Sequence, residues 1–219
     1  MSNPLKIVVV GASGKMGQAL INTISNSPDL LLTGAIDQPS CPTLGVDAGA
    51  LFGIKTEVII NDDFESTIKK GDCLIDFTRP EASMKYLESC IKNNIKYVLG
   101  TTGFSDEEKE KIFLASKKIP ICFAPNMSVG VNLLVSLVEA ATQVLYKDYD
   151  MEIIESHHRD KVDAPSGTAL RLGEAIAKTA KLNLKENGVF HREGKMEKRK
   201  KNEIGFSAIR AGDIVGDHT

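Results

Sequence analysis

The 219-residue sequence predicts an α/β protein, with a doubly wound parallel sheet in its first part and a smaller α+β domain after it. Three observations carry that prediction. A β-branched apolar run at residues 5–10 leads directly into a glycine-rich turn. Short apolar runs then alternate with helical patterns as far as residue 124. After Pro125 the rhythm changes to one long helical pattern and a few widely spaced strands.

Taken in order, residues 5–10 read as a strand buried on both faces. Residues 15–25 carry Met16, Leu20, Ile21 and Ile24 at helical spacing, and residues 30–36 read as the second strand. Residues 38–55 are rich in Gly and Pro and predict a loop. Strand candidates at 58–60 and 73–77 bracket a short helix at 64–69. Pro80 opens a helix at 80–93, where its missing N–H costs nothing. Residues 97–99 predict a strand that ends in Gly100-Thr101-Thr102-Gly103. Ser105 and Glu108 then form a capping box for a helix reaching about residue 117, and residues 121–124 predict another strand. Beyond Pro125, a helix at 129–145, a strand at 151–156, a helix at 166–178 and a final strand at 204–210 complete the pattern. The boundary falls near Met127, giving domains 1–127 and 128–219.

With 42% hydrophobic and 26% charged residues, the chain can bury a core and is not of disordered type. A net charge of −2 gives no reason to expect nucleic acid or an anionic membrane as partner. No apolar run approaches the roughly 20 residues of a membrane span, and the apolar N-terminal run is too short for a signal peptide. Cys41, Cys73, Cys90 and Cys122 form neither a CxxC nor a zinc pattern, and read as reduced core thiols of a cytoplasmic protein. Tryptophan is absent, which argues against stacking platforms for single strands.

Gly11-Ala12-Ser13-Gly14-Lys15-Met16-Gly17 is a GxxGxxG variant of the dinucleotide fingerprint. Glycine lets the backbone approach a pyrophosphate, whose charge then rests on the helix N-terminus. The pattern is weak alone, but here it follows a buried strand and opens a helix, as a Rossmann-type domain requires. Asp37 lies at the end of the second strand, where a carboxylate accepts hydrogen bonds from the adenosine ribose. That favours NADH, although Lys15 could offer charge to a phosphate, so NADPH stays open. Gly100, Thr101 and Thr102, and Ala124, Pro125, Asn126 and Met127, sit at other strand ends and should line the nicotinamide half. Asp76-Phe77-Thr78-Arg79 occupies an equivalent end. Each alone would be an ordinary turn.

The most distinctive run is ESHHRDKVDAPSGTA at residues 155–169. It gathers two His, an Arg and a Lys between a strand and a helix that Ser166 caps, with free N–H groups that suit an anion. A substrate carboxylate could dock there beside His158 and Lys161. Hydride reduction leaves negative charge on a neighbouring atom, so a general acid must supply a proton. His157 fits that role, with Lys161 as its electrostatic partner. Adjacent His residues on a strand point to opposite faces, so one of the two could be purely structural. A zinc site is not expected, because His191 and His218 are distant in sequence and no nearby Cys completes a set.

These motifs, with DFTRPE at 76–81, GTTGF at 100–104, APNMSVGVN at 124–132 and IRAGDIVGDHT at 209–219, resemble the 4-hydroxy-tetrahydrodipicolinate reductase (dihydrodipicolinate reductase) family of bacterial lysine and diaminopimelate synthesis. The resemblance runs along the whole chain. It implies NADH- or NADPH-dependent reduction of a cyclic dicarboxylate, with His157 as the acid and Lys161 as proton donor or charge stabiliser. It further implies that His158, Lys161, Gly167 and Thr168 hold the substrate carboxylates, and that the protein is a cytoplasmic homotetramer built through the substrate-domain sheet. Gln38 stands where many members carry Arg, which leaves the cofactor preference unassigned. The family pattern also continues past GDHT, so a truncated second domain is expected, with a less stable cofactor domain and impaired tetramer formation.

Two other readings compete. A different dehydrogenase of small acids would need the same glycine loop but not the HHRDKVDAPSGTA run. A dinucleotide sensor would need residues 11–17 and Asp37 but would have no use for His157 or Lys161. The basic stretch at 195–201 reads as a charged loop rather than an RNA contact, since Glu197 and Glu203 dilute it.

Overall fold

The computed structural model describes residues 3–219, which divide into two compact units, one running through Pro125 and the other from Asn126 to Thr219. The first unit alternates β1 (Leu5–Val10), α1 (Lys15–Ser25), β2 (Leu30–Ile36), β3 (Ile60–Asn61), α2 (Phe64–Thr67), β4 (Cys73–Asp76), α3 (Pro80–Asn93), β5 (Lys96–Leu99), α4 (Asp106–Ser116) and β6 (Ile121–Phe123). All six strands are parallel, in the order β3-β2-β1-β4-β5-β6. The order reverses between β1 and β4, so the glycine loop after β1 opens at the point where ligands bind in such sheets.

Residues of β1 alternate between the two faces of the sheet, and both faces are covered. Val8 and Val10 join Leu74, Leu87, Tyr97, Leu99 and Ile112 in one core cluster. Ile7 and Val9 join Ile21, Ile24, Ala35 and Cys73 in the other. That explains why β1 carries no alternating polar residue. The helix boundaries follow local chemistry. Pro80 occupies the first turn of α3, and Asn94 closes it in the left-handed region. Ser105 and Glu108 form the capping box of α4.

The second unit holds α5 (Val129–Leu145), β7 (Met151–His157), α6 (Gly167–Ala180), α7 (Leu184–Asn187), β8 (Gly188–Val189), β9 (Ile204–Arg210) and β10 (Asp217–His218). Its sheet runs β10-β7-β9-β8, with β9 parallel to β7 and β8 and with β10 antiparallel to β7. Ile153, Ile204 and Phe206 on one face pack with Leu172, Ile176 and Ala177 of α6 and Leu134 and Val138 of α5. Ile154 and Ile209 stand exposed on the opposite face.

Several sequence expectations are corrected. Strand β3 is two residues long and begins at Ile60, and the helix expected at 64–69 is a short α-turn followed by a 3-10 turn, Ile68–Lys70. The loop at 38–55 contains a 3-10 turn, Ala50–Phe52. The strand at 204–210 is followed by β10, and α7 and β8 precede it. The short strands β3, β8 and β10 have no periodic apolar signal because pairing with a neighbouring strand defines them, and the helical turns are too short to show a period. All four cysteines are free, but only Cys73 and Cys90 are core thiols. Cys122 is exposed because β6 is an edge strand, and Cys41 is half-buried beside the glycine loop.

Candidate active site

In the first unit the turn after β1 is built from glycine. Gly11 has φ +68°, a conformation that strains any L side chain. A Cβ on Gly17 would stand far inside van der Waals contact of the Gly11 carbonyl oxygen, so α1 packs too closely on the loop for a side chain there. The N-cap of α1 is Gly14, with no side chain to occupy the first amides of the helix. Those amides are the groups a phosphate would use. Lys15 and Met16 are exposed on the first turn of the helix.

Not every amide of the loop is free. Ala12 N–H donates to the Ile36 carbonyl at 3.0 Å, and Ser13 N–H to Asp37 Oδ2 at 2.8 Å. Asp37 Oδ1 accepts from its neighbour Gln38 N–H at 2.8 Å, so backbone donors at the end of β2 orient the carboxylate. Ser13, Cys41 and Thr43 link their side chains beside it. Gly11, Gly14, Asp37, Gln38, Thr78 and Arg79 line one cleft of about 390 Å³. Arg79, noted in the sequence only as part of a strand end, is the cation of that cleft.

Behind it lies a buried polar cluster. Asp76, fully buried at the end of β4, accepts from Thr78 N–H at 2.7 Å, Thr78 Oγ1 at 2.6 Å and Tyr97 OH at 2.6 Å. Burial first, and then the Asp76 charge, push the Tyr97 hydroxyl far above its ordinary range. Thr101 is buried, with its hydroxyl against Ser83 and Asp76, so this residue offers a ligand its backbone rather than its side chain. Gly100 lies against the Phe77 ring, where a Cβ would clash. Thr102 is exposed. Ala124 and Pro125 close the first unit, whereas Asn126 and Met127 belong to the second, where Asn126 Nδ2 lies 3.5 Å from Thr168 Oγ1.

In the second unit His157 ends β7, buried, with Nδ1 2.5 Å from Glu155 Oε2. Glu155 precedes it by two residues and shares its face of the strand. Arg210 at the end of β9 donates to both oxygens of Glu155, at 2.7 and 2.8 Å, and Ser166 N–H adds a further bond at 3.1 Å. Burial pushes the Glu155 carboxyl up, but the bonds from Arg210, His157 and Ser166 with the Arg210 charge outweigh it and leave the group below its ordinary value. The His218 ring stands edge-on to His157 at 5.1 Å, with Nε2 2.8 Å from Ser166 Oγ. Burial, then the neighbouring His157, lower its pKa.

Ser166 also caps α6 through the Ala169 amide. The amides of Gly167 and Thr168, first in the helix, have no carbonyl one turn earlier to receive them. Lys161, on the loop before α6, pairs with Asp163 at 2.8 Å. Thus the partner of His157 is Glu155 and the partner of Lys161 is Asp163, rather than each other. The adjacent His158 lies beyond the strand, half-buried.

Sequence reading found His157 but not Glu155, Arg210 or His218. A carboxylate within the apolar strand MEIIESH was the available signal for Glu155. The other two arrive through sheet register. His218, set aside as distant in sequence, is in fact the neighbour of His157. Among the described residues no group of three or more His, Cys, Asp or Glu is placed to hold a metal, and no helix is long and apolar enough to cross a membrane.

Comparison with known proteins bears on both units. A family described as dihydrodipicolinate reductase, N-terminus, matches residues 5–127, and one described as dihydrodipicolinate reductase, C-terminus, matches residues 130–219. The chain is 54% identical over 215 residues to a 4-hydroxy-tetrahydrodipicolinate reductase of Nitrosomonas eutropha, covering 98% of this chain and 80% of that one. It is 49% identical over 216 residues to the protein of that name from Neisseria meningitidis serogroup B, covering 99% and 80%. The structure resembles a dipicolinate-bound dihydrodipicolinate reductase from Paenisporosarcina sp. TG-14, with a TM-score of 0.75 at 27% identity, covering 98% of this chain and 82% of that one.

Proposed function

The chain belongs to the dihydrodipicolinate reductase family, and from that membership we propose how its residues share the reduction of 4-hydroxy-tetrahydrodipicolinate. The reaction is an NAD(P)H-dependent step of lysine and diaminopimelate biosynthesis. The substrate carries a hydroxyl that the product, tetrahydrodipicolinate, lacks. The net change therefore removes water and adds a hydride and a proton.

A bound dihydronicotinamide supplies the hydride. The first unit fits such a cofactor: Gly11, Ala12, Ser13, Gly14, Lys15 and Met16 form the pyrophosphate turn, and Asp37 faces the ribose. Gly100, Thr101 and Thr102, with Ala124, Pro125, Asn126 and Met127, serve the nicotinamide half. Asp37 favours NADH, while Arg79 in the same cleft supplies the positive charge that a 2′-phosphate needs. Both cofactors are therefore accepted.

The second unit binds the dicarboxylate. His158, Lys161 and the first amides of α6, at Gly167 and Thr168, hold its carboxylates. His157 delivers the proton to the carbon beside the one that receives hydride. The observation that carries this reading is His157 itself, a buried imidazole hydrogen-bonded to a buried carboxylate, a few residues from Lys161 and the start of α6. The same unit is the assembly domain: Ile154 and Ile209 on the open face of its sheet support a homotetramer, as the family resemblance implies. Four unpaired thiols support a cytoplasmic setting.

The test is the loss of absorbance at 340 nm with NADH and with NADPH on freshly made substrate. Turnover that falls at least roughly 100-fold in His157→Gln, with KM little changed, supports the proton-donor role. Undiminished kcat in that variant would remove it.

A further inference from the structure

We propose that Glu155 is a positioning residue for His157: it fixes which imidazole nitrogen carries the reaction's proton, and Arg210 keeps Glu155 from competing for that proton. The inference rests on the reading of His157 as proton donor and says how that donor is set.

The argument is one of hydrogen-bond capacity. Glu155 is 1% exposed, and each of its oxygens already has two partners. Oε1 receives Arg210 Nη2 and Ser166 N–H, and Oε2 receives Arg210 Nη1 and His157 Nδ1. An ionised carboxylate only accepts, so the proton on the 2.5 Å bond to His157 resides on Nδ1. A neutral imidazole has one N–H. With Nδ1 holding it, Nε2 is the lone-pair nitrogen, and Nε2 alone can take up and give out a proton.

The surroundings of Nε2 agree. Gly216, at φ +155°, passes so close that a Cβ there would stand 2.9 Å from Nε2. Glycine thus keeps that side of the ring clear. The titratable groups gathered around His157 are Glu155 on β7, Arg210 on β9 and His218 on β10, and on the loop that follows β7 the Asp163 carbonyl accepts from Arg210 while the Lys161 charge acts on His218. Lys161 is bound to Asp163, and His218 is engaged with Ser166 Oγ. Among these groups only Glu155 contacts Nδ1.

Two measurements test the proposal. Imidazole 15N NMR on the wild-type chain, which has only four histidines, reads the tautomer directly. His157 is expected as the Nδ1–H form, and an Nε2–H form would overturn the proposal. The second measurement is the pH profile of kcat in Glu155→Gln and Glu155→Asp. In Glu155→Gln kcat is expected to drop roughly 100-fold, with KM changed less than about threefold and the alkaline limb, where the donor loses its proton, moved to lower pH. Glu155→Asp should recover part of the loss. A Glu155→Gln variant that stays folded and turns over like wild type sinks the proposal. If that variant does not fold, the wild-type tautomer decides alone. Failure of the donor reading looks different: His157→Gln itself keeps its kcat. Loss in His157→Gln without loss in Glu155→Gln leaves the donor in place and removes the positioning role.

Discussion

Arg210 grips Glu155 with both terminal guanidinium nitrogens, 2.7 and 2.8 Å from the two carboxylate oxygens, across the parallel pairing of β7 with β9. Ser156 pairs with Ile209 and His157 with Arg210 in that register, so the Arg210 side chain reaches back beside Glu155. A two-pronged bond of this kind is both strong and directional. Among the described residues, Arg210 is the only permanently charged cation bound to Glu155, a carboxylate that is 1% exposed.

Removing that cation should cost more than the bond itself is worth, because an uncompensated buried charge is left behind. Arg210→Met is expected to lower the melting temperature by roughly 10 °C, whereas Arg210→Met with Glu155→Leu should recover much of it. Thermal melts of the two variants decide this. Equal melting temperatures for Arg210→Met and wild type would contradict it.

The same carboxylate sets an acid limit on stability. Its folded pKa lies below the ordinary value of 4.5, so its contribution is complete above that pH and is lost as pH falls through the folded value. His218 acts at a higher pH. Its depressed pKa means the fold favours the neutral ring, so stability begins to decline as pH drops below 6.5. Melting temperatures measured from pH 8 to pH 3 should fall in two stages, and His218→Gln should flatten the upper one.

Asp37 has two roles that a single variant confounds. Its carboxylate holds the Ser13 amide as well as facing the cleft. Asp37→Asn keeps one acceptor for Ser13, so it should preserve the loop while weakening NADH about tenfold through the lost charge-assisted ribose bond. Asp37→Arg should move the ratio of kcat/KM towards NADPH. Unchanged ratios in both variants would take Asp37 out of the ribose site.

Gly17 is where the loop and α1 come closest. Gly17→Ala forces the new methyl against the Gly11 carbonyl, so the turn must open. Fluorescence titration should show NADH affinity at least tenfold weaker. Unchanged affinity would mean that the turn absorbs the methyl without moving its amides.

The parts of this molecule legible in its sequence are those whose causes are local. Strand β1 has apolar residues on both faces because both faces are covered, and Pro80, Ser105 and Ser166 mark helix starts through their own backbone and side-chain chemistry. The glycine loop is legible for the same reason. Strands β3, β8 and β10 are two residues each and exist through pairing alone, which leaves no period to read. The candidate site divides along the same line. His157 stands in a dense cationic run, whereas Arg210 and His218 join it from other strands. Proximity in sequence makes Lys161 the expected electrostatic partner of His157, whereas the direct contacts are those of His157 with Glu155 and of Lys161 with Asp163.

The bond from Arg210 to Glu155 spans 55 positions, and that between Ser166 and His218 spans 52. A chain leaving the ribosome therefore presents β7 well before its counter-ion exists. Until Arg210 emerges, burying Glu155 is unfavourable, so the inner face of β7 must stay wet and open. The acid thus ties the closure of the second unit to the emergence of Arg210. A chain released early offers the cell an open substrate for proteases and chaperones rather than a half-working enzyme.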